Sequence, residues 1–245
     1  MWVLSLNHSR PSLEIAFTFT LIIIVLWMPR PLQDWFSVVV LAWIIGSTLL
    51  TPAHARWIGF GADGLGRSWW VIPSAVALSA VQILIAHHER TLHGHMLAGI
   101  VPRVAGYAIW SLLQQFILQN YFLARLLQIF RPRWAITLGA ILFALAHLPN
   151  PVLTFATLIW GFIASALFLR YRDLYSVGFA HALLGLTLAI CIPASVHHNM
   201  RVGLGFLRYH PKEQNQRSQI PHNVSTEACV IVEAATCRSA LQARP

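Results

Sequence analysis

Seven long apolar runs constrain this chain more than any other feature. They are Leu13–Met28, Trp35–Leu50, Trp69–Ala86, Val104–Phe130, Trp134–Leu148, Val152–Leu169 and Tyr175–Ile192. Runs of roughly 20 apolar residues match the thickness of a bilayer core. In lipid each backbone N–H and C=O must be satisfied within the segment, so such runs fold as helices. Only 10% of the residues are charged, against about 25% in an average soluble domain. The reading is therefore an all-α, polytopic transmembrane helical bundle of about seven spans, or eight. The fourth run is long enough to tilt, break or leave the bilayer, and the fifth is short. Nothing resembling a small-residue cleavage site follows the first run, so it reads as a retained anchor.

Residues 1–200 read as the bundle and residues 201–245 as a polar, flexible tail. The net charge of +9 is spread over loops and tail rather than gathered on one face. That argues for no nucleic acid and for the lipid bilayer as the surrounding partner. Counting alternate loops, Arg10, Arg56, Arg67, Arg125, Arg131, Arg133, Arg170 and Arg172 fall on one side, against Arg30, Arg90, Arg103, Arg201 and Arg208. This excess favours a cytoplasmic N-terminus. All but one of the 17 basic residues are arginine, a bias that suggests a GC-rich bacterial genome and so the cytoplasmic (inner) membrane. Cys191, Cys229 and Cys237 form no CxxC pair, so neither a thiolate zinc site nor a disulfide framework is expected.

Polar side chains inside lipid must pair or line a cavity. No carboxylate falls in the middle of a run, and Glu14 is read as lying near a span end. The central polar set is Gln114, Gln115, Gln119, Asn120, His147 and His181. At about 100° per residue, Ser111, Gln115 and Gln119 share one stripe, Gln114 borders it and Asn120 points elsewhere. Such a stripe is either interhelical glue or one wall of a cavity. His147 ends the fifth run, one turn beyond Phe143, where Pro149 and Pro151 stop the helix. His181 lies between Gly178 and Gly185, which permit a helix or a substrate backbone to approach closely. Each histidine alone reads as a satisfied buried imidazole. Together with the glutamines they suggest convergence on one cavity, where His147 and His181 are candidate ligands for a divalent metal such as zinc. The tract His87–His95 (HHERTLHGH) is a separate candidate for zinc, nickel or copper, or an interfacial segment.

The pattern resembles the CAAX protease and bacteriocin-processing family of intramembrane peptidases. That family carries EExxxR, then FxxxH, then HxxxN or HxxxD on successive helices. Here QQFILQ (Gln114–Gln119), FALAH (Phe143–His147) and HALLG (His181–Gly185) stand in that order and spacing over about residues 100–190. The resemblance implies that a glutamate activates a water, that histidines help bind it or a metal, and that the Asn or Asp holds the oxyanion. By position, Gln114 takes the base place, Gln115 the second acid, Gln119 the arginine and Gly185 the Asn or Asp, while His147 and His181 keep theirs. The departures are chemical. A glutamine amide accepts no proton near neutral pH, and losing a general base removes about 10²–10⁴-fold in rate. Three amides replace two acids and a base, so with no buried anion no buried cation is required. Three functions fit: an altered hydrolase working through a histidine, a pseudoenzyme that binds a membrane-anchored or lipidated protein or peptide, and a small transporter or scaffold of superficial likeness.

Overall fold

The computed structural model describes residues 6–50, 58–92 and 100–209. Among these the chain is helical throughout, with no strand. The long helices are α1 (Leu6–Leu26), α2 (Arg30–Leu49), α4 (Val71–His88), α5 (Ile100–Phe116), α7 (Pro132–Leu145), α8 (Pro151–Tyr171) and α9 (Leu174–Cys191). The short ones are α3 (Ala62–Ser68), α6 (Ala124–Ile129), α10 (Ala194–His197) and α11 (Leu204–Leu207). Five helical segments are long and apolar enough to cross a membrane: Ser9–Leu26, Arg30–Leu49, Val71–His88, Pro151–Tyr171 and Leu174–Cys191. The chain is an integral membrane protein. The short fifth run appears as the 14-residue α7.

The helix boundaries follow local chemistry. Pro132 and Pro151 open α7 and α8, where a missing N–H costs nothing. The Asn150 side chain accepts from Leu153 N, and Asp173 accepts from Tyr175 N and Ser176 N, capping α8 and α9. Arg172 links α8 to α9 in the left-handed conformation.

The fourth run does not break. It changes pitch, passing from α5 into a π-helix at Ile117–Leu123 and back to α-helix in α6. Where the π segment passes into α6, a buried polar cluster joins it to α1. Arg125, 1% exposed, donates from Nε to Glu14 Oε2 at 2.7 Å and lies 3.6 Å over the Tyr121 ring. The Tyr121 hydroxyl in turn pairs with Thr18 at 2.5 Å. One sequence reading is corrected here: Arg125 is a buried structural cation rather than a loop charge.

At the centre, α9 packs between α4 and α5, and α7 packs along α8. Helices α1 and α2 pair with each other, and α1 meets α6. Beyond α9, residues 192–209 fold back under the bundle. Asn150 Nδ2 donates to the carbonyls of His197 and Arg201, and Gly203 N donates to Leu148 O.

Candidate functional site

The three motif segments meet at one cavity of about 820 Å³. Gln114, His147, His181 and Gly185 all line it. Gln115 and Gln119 stand just behind the wall, fully buried. The expected stripe is real. Gln119 Nε2 donates to Gln115 Oε1 at 3.1 Å, and Gln115 Nε2 donates to His181 Nδ1 at 3.0 Å. The stripe survives the change of pitch because Gln115 lies in the last turn of α5 and Gln119 in the first turn of the π segment. Asn120 points away, as the helical wheel requires, and donates to Ile58 O at 3.3 Å.

This chain of amides sets the state of His181. Gln115 turns its oxygen toward Gln119, so it offers an N–H to the imidazole. With the Gln115 amide in this orientation, a neutral His181 ring accepts at Nδ1 and carries its proton on Nε2, and the Ser111 carbonyl also stands beside the ring. His147 has the opposite arrangement. The turn after α7 brings its Nδ1 to the Phe143 carbonyl at 2.7 Å, and only a protonated Nδ1 can donate there. Its Nε2 is then a lone pair. One histidine is thus a base and the other a donor. The Phe143 ring stands edge-on to both, with centroids 4.9 Å from His147 and 5.8 Å from His181.

The glycines flanking His181 serve helix approach. A Cβ on Gly178 would press on Leu112, 3.3 Å from its Cα. A Cβ on Gly185 would fall on the Tyr107 hydroxyl. Both contacts are with α5, the helix that carries the first motif.

Reasoning from sequence missed three lining residues. Tyr107 lies one turn before Ser111, so the stripe already read from Ser111 to Gln119 extends to it. Trp160 lies beside His181, ring centroids 6.2 Å apart, and its buried indole N–H has no partner among the described residues. Gln82 accepts from Thr187 at 2.5 Å. Nothing local in the sequence marks Trp160 or Gln82.

The donor set does not fit zinc. Catalytic zinc takes three protein ligands, and among the described residues no three His, Cys, Asp or Glu converge. Of the His87–His95 tract, His93 and His95 lie outside the described residues, and His88 faces the exposed Glu89 at 3.3 Å. Cys191 is free and buried, and Cys229 and Cys237 lie outside the described residues.

The rest of the cavity is mostly apolar, with Gln33, Ser37, Ser74 and Thr157 as further polar lining residues. Phe19, Ile22, Val40 and Ile44 of α1 and α2 form a wall opposite the histidines. No carboxylate or arginine lines the cavity among the described residues. Against known proteins, residues 98–187 match a family model described as Rce1-like, type II CAAX prenyl endopeptidase Rce1-like. No curated protein and no solved structure matches the chain.

Proposed function

We propose that the protein, whose residues 98–187 match the Rce1-like type II CAAX prenyl endopeptidase family model, is an intramembrane peptidase working on two neutral histidines. One observation carries this reading: His147 and His181 reach the same apolar cavity with opposite hydrogen-bonding roles. His147 Nε2 takes a proton from water as the water oxygen bonds to the scissile carbonyl carbon. The His181 Nε2–H donates to the carbonyl oxygen as charge builds there. The C–N bond then breaks, and the imidazolium of His147 returns its proton to the leaving amine. Gln114 holds the water and cannot deprotonate it. The apolar wall from α1 and α2 takes the lipid of a lipidated or membrane-anchored peptide, held by van der Waals packing, since the bilayer the chain leaves is equally apolar.

A second reading has its own observation. A cavity lined by an amide in the base position and by no carboxylate binds such a peptide without cutting it. A farnesylated tetrapeptide with a free C-terminus separates the two. Mass spectrometry on detergent-purified protein should show slow release of a C-terminal fragment, reduced more than about 10²-fold in His147→Ala. Binding without release, in wild type and variant alike, selects the pseudoenzyme. The bacterial inner membrane and a cytoplasmic N-terminus belong to the same proposal, although removing Arg125 from the loop count narrows the charge bias. Reporter fusions after Arg30 and Arg170 test the orientation.

A further inference from the structure

A glycine at the last position of the third motif looks like a simple loss. The geometry points to a replacement. We infer that the Tyr107 hydroxyl supplies, from the neighbouring helix, the hydrogen bond that an Asn or Asp at position 185 would give, and so receives the carbonyl oxygen of a bound peptide. This rests on the reading that the cavity takes a peptide carbonyl.

The two positions exclude each other. A Cβ on Gly185 would land on the Tyr107 hydroxyl, with the ring carbons Cζ and Cε1 only 3.0 and 3.1 Å away. Any side chain at position 185 must displace the phenol. The hydroxyl therefore stands where the first side-chain atom of an Asn would stand, one helical turn from His181. Tyr107 and Gly185 both line the cavity, together with Gln114, His147 and His181. The phenol approaches on the polar stripe of α5, facing Ser111 one turn on. A phenol is a neutral donor, in keeping with a site that has amides where charges would be. It also reaches about 6.5 Å from its Cα, which is what a donor on the adjacent helix needs and an amide cannot do. Tyr107 and His181 line the same cavity, and a peptide carbonyl held there would receive the hydroxyl and the His181 Nε2–H as the two donors of an oxyanion hole.

Three variants of the full chain in proteoliposomes test this, with the farnesylated tetrapeptide as probe. Tyr107→Phe keeps the ring and removes the donor. It should lower kcat about 10²-fold with KM within about threefold. Gly185→Asn alone should lose activity, because the phenol occupies its space. Tyr107→Ala with Gly185→Asn should recover kcat to within about tenfold of wild type, since the donor returns from the other helix. A Tyr107→Phe enzyme with wild-type kcat overturns the inference. So does a double variant that folds, by its thermal transition, yet stays as slow as Tyr107→Phe. If wild type cleaves nothing, the hydrolytic reading fails separately, and Tyr107 is judged by binding of the same peptide. About tenfold weaker binding in Tyr107→Phe then upholds the donor, and unchanged binding rejects it.

Discussion

The two walls of the cavity are built to different standards. The polar wall comes from α5, α7 and α9. Within α9, 56% of the Leu174–Cys191 window is buried inside the bundle. The apolar wall comes from α1 and α2, whose windows are each only 17% buried. Side chains that must hold a hydrogen bond to a few tenths of an ångström stand on the best-packed helix. Side chains that need only be greasy stand on helices that face lipid on most of their surface. The polar wall falls inside the matched family region and the apolar wall outside it. Chemistry and ligand shape thus sit on different parts of the chain, joined by an apolar cluster of Val25, Val40, Ile44, Tyr121 and Phe122 and by the Glu14–Arg125 ion pair.

That division can be pressed hardest by restoring charge to the polar wall. Gln114→Glu, Gln115→Glu and Gln119→Arg together should raise peptide cleavage about 10²–10⁴-fold, read as initial rates on the farnesylated tetrapeptide. The same changes should leave lipid-chain preference untouched, since α1 and α2 are unaltered. Next in size is the joint between the walls. Glu14→Ala strands the buried Arg125 guanidinium and should cost about 2–4 kcal/mol, less than a wholly enclosed pair because Glu14 keeps some solvent contact. A lower midpoint in detergent-titrated unfolding checks it. A smaller effect comes from filling the apolar wall. Leu41→Trp should raise KM for a 20-carbon prenyl peptide about tenfold over the 15-carbon one, with kcat unchanged. The smallest is Gln119→Leu. It removes an acceptor that has no partner, Oε1, along with one donor, and should move stability by no more than about 1 kcal/mol. If Leu41→Trp changed kcat, or the triple variant changed lipid preference, the two walls would not be independent.

Much of this was legible in the residues because it is local or periodic. The apolar runs gave helices, and spacing in QQFILQ, FALAH and HALLG aligned the amides and histidines. The same periodicity reaches Tyr107, so that residue was within reach of the helical wheel and was passed over because an aromatic on an apolar helix draws no notice. The Glu14–Arg125 pair was not legible, as its partners lie 111 residues apart and each looks like an ordinary span-end charge. Nor was the role of Gly185. A glycine reports only that something comes close, and here what comes close is a hydroxyl rather than a substrate backbone. The π segment has no pattern of its own, because residues that pack on two sides of a helix look alike at either pitch.

That segment makes the motif helix a joint between two angular settings. A π turn takes more residues than an α turn, so over Ile117–Leu123 the chain falls behind an α-helix by roughly one residue's rotation, about 100°. Upstream, the setting aims Gln114 and Gln115 at the histidines. Downstream, it aims Tyr121 and Arg125 at α1. At uniform α pitch with no residue removed, Arg125 would turn by that angle away from Glu14, whereas deleting one residue between Ile117 and Leu123 would remove the same rotation and keep both sets facing their partners. The spacing within QQFILQ is therefore an instruction about direction as well as a motif, and its reading frame continues to Arg125.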